Sequence, residues 1–151
     1  MKKRIMVIGP TEIEKEKMVE LFEEKHHFPH VRSVVYLDQT IQIPSSYLRG
    51  SGMMKHIIAI QQNASAVLML LSANRTFPVY SPNFAKVFRI PTIGVILSTE
   101  NEENRAGAGI AQCRREFEEA KVDSIHELDL ENASQCQQFL QTMNQIKEGM
   151  I

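Results

Sequence analysis

Two residues near the start of the chain, Gly9 and Lys15, have the spacing of a loop that binds phosphate. Such loops follow the pattern G-x-x-x-x-G-K-[ST]: glycines let backbone N–H groups surround the phosphates, the lysine neutralises them, and the hydroxyl binds Mg²⁺. The eight positions here are Gly9-Pro10-Thr11-Glu12-Ile13-Glu14-Lys15-Glu16. Glu14 replaces the second glycine and Glu16 replaces the serine or threonine. The lysine is therefore retained, while the conformational freedom of the glycine and the metal-binding hydroxyl are lost.

The carboxylates of this segment bring negative charge to a predicted helix start, the place that favours an anion. Like charges about 4 Å apart cost roughly 4 kcal/mol near a protein surface, so Glu12, Glu14 and Glu16 should oppose a triphosphate. Thr11 and Glu14 also have the spacing of a capping box, whose side chains satisfy N–H groups of the first helical turn. The segment thus predicts a capped helix start, with Lys15 either paired with neighbouring Glu on the surface or surviving as a phosphate ligand.

The elements that must position these residues alternate between short apolar runs and amphipathic runs. The apolar runs predict strands at 3–8, 32–37, 40–43, 65–73, 92–98 and 124–128. The amphipathic runs predict helices at about 13–25, 53–62, 83–88, 110–120 and 132–148. The polar stretch 99–109 is expected to be a flexible connection, and Asp38-Gln39 a hairpin turn. This order predicts a three-layer α/β/α sandwich with a mostly parallel sheet and one antiparallel edge hairpin.

The composition is that of one ordinary globular domain covering residues 1–151. The net charge of −1 and the absence of a basic stripe give no support to a nucleic-acid partner. The longest apolar run, 64–73, is about half of what a membrane span needs, so no membrane association is expected. Cys113 and Cys136 lie in different predicted helices, as expected of reduced thiols, and no secretory signal is expected. We therefore expect a cytoplasmic protein.

Several further segments resemble the EutP/PduV family of ethanolamine and propanediol utilisation proteins, which are small Ras-like P-loop proteins. That family has Ile-Asp-Thr-Pro-Gly-Glu-Tyr-Leu where this chain has the residues Ile41 to Leu48. The other matching segments are 4–10, 72–77, 81–84 and 89–95. The resemblance implies a P-loop NTPase topology of the small-GTPase kind and an association with bacterial microcompartments.

The same resemblance places the remaining nucleotide motifs on residues that no longer suit them. Gln42 falls at the aspartate of the Asp-x-x-Gly switch, and Ser45 at its glycine, where a backbone N–H would meet the γ-phosphate. Val31 falls at the switch-one threonine. Only Glu100 preserves an acid in the motif [NT]-Lys-x-Asp that recognises the base. Together with Gly9, Thr11, Glu14, Lys15 and Glu16, these positions form a vestigial nucleotide site.

Two other groups of residues could bind a ligand. Asn74, Arg75 and Tyr80 lie at or after the end of a predicted central strand, where α/β sheets bind ligands, and are candidates for a residual pocket. The histidines within the segment 26–30 could ligate a metal, but no further spacing completes a site and a solvated loop is favoured. No metal site is predicted.

We therefore expect a pseudo-GTPase, an accessory protein that acts by recognising microcompartment shell or enzyme proteins and needs no cofactor. Its expected location is the cytoplasm, with the microcompartment as the specific site there. The alternative is an enzyme that binds GTP or ATP with Mg²⁺ and works through Lys15, as a hydrolase or as a phosphotransferase such as a small-acid kinase. A third hypothesis is an unrelated α/β small-molecule binder with its pocket near Asn74.

Overall fold

The computed structural model describes residues 4–24, 33–49, 52–74, 78–98 and 103–147, and for 103–108 the backbone alone. Six strands are present in these ranges: β1 (Arg4–Ile8), β2 (Val35–Tyr36), β3 (Thr40–Gln42), β4 (Ala64–Ser72), β5 (Thr92–Leu97) and β6 (Ser124–Leu128). The α-helices are α1 (Glu12–Glu23), α2 (Ser46–Arg49), α3 (Met54–Ile60), α4 (Glu103–Ala120) and α5 (Ala133–Lys147). Two short 3-10 turns occupy Gln61–Asn63 and Phe84–Val87.

The strands form one sheet in the order β2-β3-β1-β4-β5-β6. Every neighbouring pair is parallel except β2 and β3, which pair antiparallel at one edge. The predicted mostly parallel sheet with one antiparallel edge hairpin is therefore confirmed. Parallel strands are joined by helical crossovers, which is why β1 and β4 read as continuous apolar runs covered on both faces.

Alternate residues of each strand face opposite layers of helices. In β1, Ile5 and Val7 pack into one core with Met18 of α1 and Phe139 of α5. Met6 and Ile8 of the same strand pack into the other core, which contains Ile57 of α3 and Phe117 of α4. The result is a three-layer sandwich with α1 and α5 on one face and α3 and α4 on the other.

The predicted elements differ from the structure mainly at their ends, and one difference is large. The segment 99–109 was expected to be a flexible connection, but α4 begins at Glu103. Gly107 and Gly109 suggested a break, yet a Cβ at Gly109 would lie 1.8 Å from the carbonyl oxygen of Ala73. Gly109 therefore lets the helix approach the end of β4, and this packing outweighs its low helix propensity. The four-residue α2 was not predicted.

No helix in the described ranges is long and apolar enough to cross a membrane.

Gly94 of β5 lies directly beneath the ring of Phe117. A Cβ at Gly94 would be 2.8 Å from the Cγ and Cδ2 atoms of that ring, closer than real side chains pack. Both residues are buried, so neither can move toward solvent. The packing of α4 on the sheet therefore depends on the absence of a side chain at Gly94.

We expect Gly94→Ala to lower the free energy of unfolding by about 1–3 kcal/mol, the usual cost of overpacking a core, although alanine is otherwise favoured over glycine in a strand. Urea denaturation measures the loss. In a Phe117→Leu background the same substitution should cost less, because the ring it displaces is gone. An equal loss in both backgrounds would show that the contact with Phe117 is not the cause.

Candidate functional site

The candidate site lies where the neighbouring strands β1 and β3 end. Val7 of β1 is in register with Gln42 of β3, so the residues that follow the two parallel strands leave the sheet at the same edge. One of these segments is the loop from Gly9 into α1, and the other is the segment from Ile43 to Ser45 before α2. The structure thus brings Gly9, Lys15, Gln42 and Ser45 together at the expected edge.

Lys15 is completely buried, with 0% of its side chain exposed. Its ammonium Nζ donates a hydrogen bond to Glu12 Oε1 at 3.0 Å and another to the backbone carbonyl of Ile43 at 2.5 Å. The expected pairing with a neighbouring glutamate is present, but the expected surface position is wrong. A buried lysine needs acceptors within reach, and one helical turn together with the end of β3 supplies them.

Glu12 uses the same carboxylate oxygen for a second contact. The backbone N–H of Ser45 donates to Glu12 Oε1 at 2.8 Å, so this oxygen receives one donor from α1 and one from the segment after β3. The Glu12 side chain remains 44% exposed, while Ser45 is 3% exposed. One side of the carboxylate therefore faces solvent and the other holds two protein donors.

The pKa values of the pair shift because of burial and these hydrogen bonds. Burial lowers the pKa of Lys15, although the hydrogen bond and the charge of Glu12 oppose this, and Arg49 adds a further lowering. Burial alone would raise the pKa of Glu12, but the hydrogen bonds from Ser45 and Lys15 outweigh it and the pKa is lowered. The ionised carboxylate is thus the form that the site stabilises.

Thr11 is the N-cap residue of α1, but the capping box predicted with Glu14 lacks the hydrogen bond from Thr11. Thr11 has the extended backbone of an N-cap residue, at φ −131° and ψ 149°, but its side chain makes no capping hydrogen bond. Its hydroxyl is instead buried and, within the described ranges, has no hydrogen-bond partner. Threonine is a weaker cap than serine or aspartate, and here the helix start is fixed by the contacts of Glu12.

Gly9 retains a packing role. A Cβ at this position would lie 3.3 Å from Cγ of Lys15 and 3.2 Å from Cβ of Leu70, both tighter than ordinary contacts. The glycine therefore leaves room for the buried aliphatic part of the Lys15 side chain, which packs against it.

The charge of Glu16 also acts on Lys15 and opposes the lowering of its pKa. Glu14 and Glu16 are half-buried. Burial raises the pKa of the Cys113 thiol to about 11, and the charges of Glu116 and Glu14 add to the shift. Cys113 thus stays protonated beside the loop, and its Sγ lies 3.4 Å from the carbonyl oxygen of Ser72.

The residues proposed for a residual pocket have different surroundings. Tyr80 is buried, with its hydroxyl donating to the carbonyl of Leu70 at 2.9 Å and its ring stacked on Phe117. It also borders a cleft of about 430 Å³ between the segment 78–82 and α4, and Asn74 is not among the lining residues. Asn74 is exposed at the end of β4.

Several predicted positions lie outside the described residues. They are Arg75, Glu100, Val31 and the histidines of segment 26–30. Within the described ranges, no three His, Cys, Asp or Glu side chains form a group that could hold a metal ion.

Only part of the contacts at the site could be predicted from the sequence. Pairing of Lys15 with a neighbouring glutamate was expected, but its bond to the carbonyl of Ile43 was not. The available signal was the spacing of Glu12 three residues before Lys15, which places the two side chains on one face of a helix. The link to Ser45, 33 residues further along, had no local signal.

Comparison with known proteins identifies relatives of this chain. The family model PduV-EutP, described as ethanolamine utilisation and propanediol utilisation, matches residues 2–145. The propanediol utilization protein PduV of Citrobacter freundii is 26% identical over 99 residues, which span 65% of this chain and 66% of that protein.

Three solved structures illustrate the likeness in fold. A probable GTP-binding protein engB has a TM-score of 0.62 at 12% identity, covering 97% of this chain and 99% of that one. The FeoB G-domain of Methanococcus jannaschii has a TM-score of 0.58 at 7% identity, with 98% and 99% covered. Era of Aquifex aeolicus, in a complex with GDP and AlF4⁻, has a TM-score of 0.58 at 13% identity, with 95% and 56% covered. These likenesses confirm the P-loop GTPase topology.

We expect Glu12→Gln to lower the free energy of unfolding at neutral pH by about 1 kcal/mol, because the half-exposed carboxylate holds two donors that the amide binds less strongly. Since the pKa of Glu12 is lowered on folding, its contribution is present above roughly pH 4.3, the value for free glutamate, and is lost as the pH falls through the folded-state value. Urea denaturation from neutral to acid pH measures the difference between the two proteins.

The matched control is Glu118→Gln, which removes the same charge from an exposed position on α4. It should change stability by less than about 0.5 kcal/mol. A Glu12→Gln effect no larger than this control, or one that persists unchanged at acid pH, would contradict the assigned contacts.

Proposed function

The chain belongs to the PduV-EutP family of ethanolamine and propanediol utilisation proteins, and we propose that it serves this metabolism as a pseudo-GTPase. In this proposal it acts by recognising other proteins, and nucleotide binding is weak or lost. The observation that carries the proposal is the buried hydrogen bonding of Lys15 to Glu12 and Ile43. A lysine held in this way is not available to neutralise a triphosphate unless the site is first taken apart.

The fit of the site to a nucleotide is poor on three counts. The ammonium of Lys15 already has a carboxylate and a carbonyl as acceptors. The N–H of Ser45, at the position that would meet a γ-phosphate, donates to Glu12. The backbone at Glu14 carries a side chain where phosphate loops have glycine. A nucleotide would have to displace these internal contacts before it could bind, so its net gain on binding is reduced.

The metal that accompanies nucleotides in this fold also lacks its usual ligands. Glu16 stands in place of the hydroxyl residue, and Gln42, 8% exposed at the end of β3, stands in place of the aspartate behind Mg²⁺. An amide supplies no negative charge to hold a divalent ion. Both substitutions support a protein that does not work through Mg²⁺ and nucleotide.

Recognition of microcompartment shell or enzyme proteins remains the proposed role, and the microcompartment the proposed location. It rests on the family membership and on a fold whose nucleotide-sensing segment is held by internal contacts. One observation favours the alternative enzyme: the Glu12 side chain is 44% exposed, so the carboxylate that a triphosphate would displace is reached by solvent on one side. A hydrolase or phosphotransferase acting through Lys15 is therefore the second candidate.

The two candidates predict different melting behaviour with nucleotide. With about 1 mM GTP or ATP and excess Mg²⁺, the pseudo-GTPase should show a shift in Tm below about 1 °C. A ligand at a hundred times its Kd adds about 2.7 kcal/mol, which for a domain of this size is a shift of roughly 5–10 °C. Differential scanning fluorimetry separates these outcomes, and sedimentation with purified shell proteins of the same operon tests recognition.

Lys15→Met is the control for specific binding, because it removes the only loop cation in the phosphate motif. A large shift in the wild type that this variant abolishes would overturn the pseudo-GTPase and support the enzyme. Sedimentation with shell or enzyme proteins should be equal with and without nucleotide. If the protein sediments with none of the shell or enzyme proteins, the proposed recognition role is overturned.

A further inference from the structure

Helix α1 holds the strand β3 at both of its ends through glutamate side chains. At the start of the helix, Glu12 accepts the N–H of Ser45, three residues after β3 ends. At its end, Glu23 Oε2 accepts the backbone N–H of Gln39 and the hydroxyl of Thr40, each at 2.8 Å. The two contacts are of the same type, but only the first also includes a buried cation.

The short segment between β3 and α2 is anchored from two directions. The carbonyl of Ile43 accepts a hydrogen bond from Lys15, and the N–H of Ser45 donates to Glu12. The N–H of Ile43 also donates to the carbonyl of Val7 at 3.1 Å, which continues the sheet. Helix α2 begins at Ser46, directly after this anchored segment.

Two donors of different kinds converge on one oxygen of Glu12. An ammonium and a backbone N–H, both buried, are the groups that proteins use to bind phosphate oxygens. The carboxylate therefore occupies the position of an anion between the loop lysine and the segment that follows β3. Arg49, at the end of α2, is close enough to Lys15 to affect its charge, so further positive charge lies on this side.

We propose that the Glu12 carboxylate is a built-in substitute for a terminal phosphate, which joins Lys15 to Ser45 and keeps the segment 43–49 in one conformation. The inference rests on the proposed function, since it explains how the segment stays ordered without nucleotide. It also defines a latent oxyanion site. When the carboxylate is removed, Lys15 keeps only its bond to the carbonyl of Ile43 and the N–H of Ser45 loses its acceptor, and the ligand class that these two donors accept is a free phosphate.

Hydrogen exchange of single amides tests this directly in the full chain. In Glu12→Ala, the Ser45 amide should exchange at least about tenfold faster than in the wild type, because its charged acceptor is gone. Addition of about 10 mM inorganic phosphate should restore most of the protection. In Glu12→Ala/Lys15→Met phosphate should have no effect, because the cation that binds it is missing.

Glu23→Ala is the matched control from the other end of α1. It should speed exchange of the Gln39 amide and leave Ser45 unchanged, whereas Glu12→Ala should do the opposite. Unchanged exchange at Ser45 in Glu12→Ala would overturn the proposal. The proposal would also be overturned if the exchange rate rose equally at core amides such as Leu68, or if phosphate did not reverse the faster exchange at Ser45.

These outcomes are independent of the nucleotide experiment. If wild-type protein binds GTP while Glu12→Ala loosens Ser45 as described, the pseudo-GTPase fails and the internal phosphate substitute stands. If the wild-type protein does not bind nucleotide and the Ser45 amide stays protected in Glu12→Ala, the proposed role of Glu12 as a phosphate substitute fails and the pseudo-GTPase stands.

Discussion

The burial of one ammonium group sets the arrangement of the whole site. A charged group removed from water needs partners of opposite charge or polarity, and Lys15 has two, Glu12 and the carbonyl of Ile43. Glu12 can reach the lysine because it lies one turn earlier on α1, and Ile43 because β3 ends beside β1. Gly9 must lack a side chain so that the lysine stem has room.

The same constraint links the site to the fold. Because Glu12 satisfies Lys15 and Ser45 with one oxygen, the start of α1 is joined to the segment that leads into α2. Glu23 makes the equivalent connection between the end of α1 and the turn before β3. The helix therefore holds β3 from both of its ends, although β3 has only three residues. In the proposed pseudo-GTPase, this contact internal to the chain would take the place of contact with a phosphate.

The sheet, its order of elements and the edge that bears the site could be predicted from the sequence, because apolar runs such as Ala64–Ser72 carry a clear strand signal. The resemblance to a known family placed Gln42 and Ser45 at that edge. The start of α4 could not be predicted, since the packing of Gly109 on Ala73 reverses the local propensity of glycine. The burial of Lys15 was also hidden, because its acceptors come from α1 and from a strand end far along the chain. Local charge spacing alone suggested a solvated helix.

The central claim is that one ionised carboxylate holds both Lys15 and Ser45, and its titration can be observed by NMR. The side-chain carboxyl carbon of Glu12 should titrate with a midpoint below roughly 4.3, the pKa of a free glutamate, and the amide proton of Ser45 should shift with the same midpoint. A shared, lowered midpoint is the predicted result. An ordinary midpoint for Glu12, together with a Ser45 amide that does not respond to it, would contradict the claim.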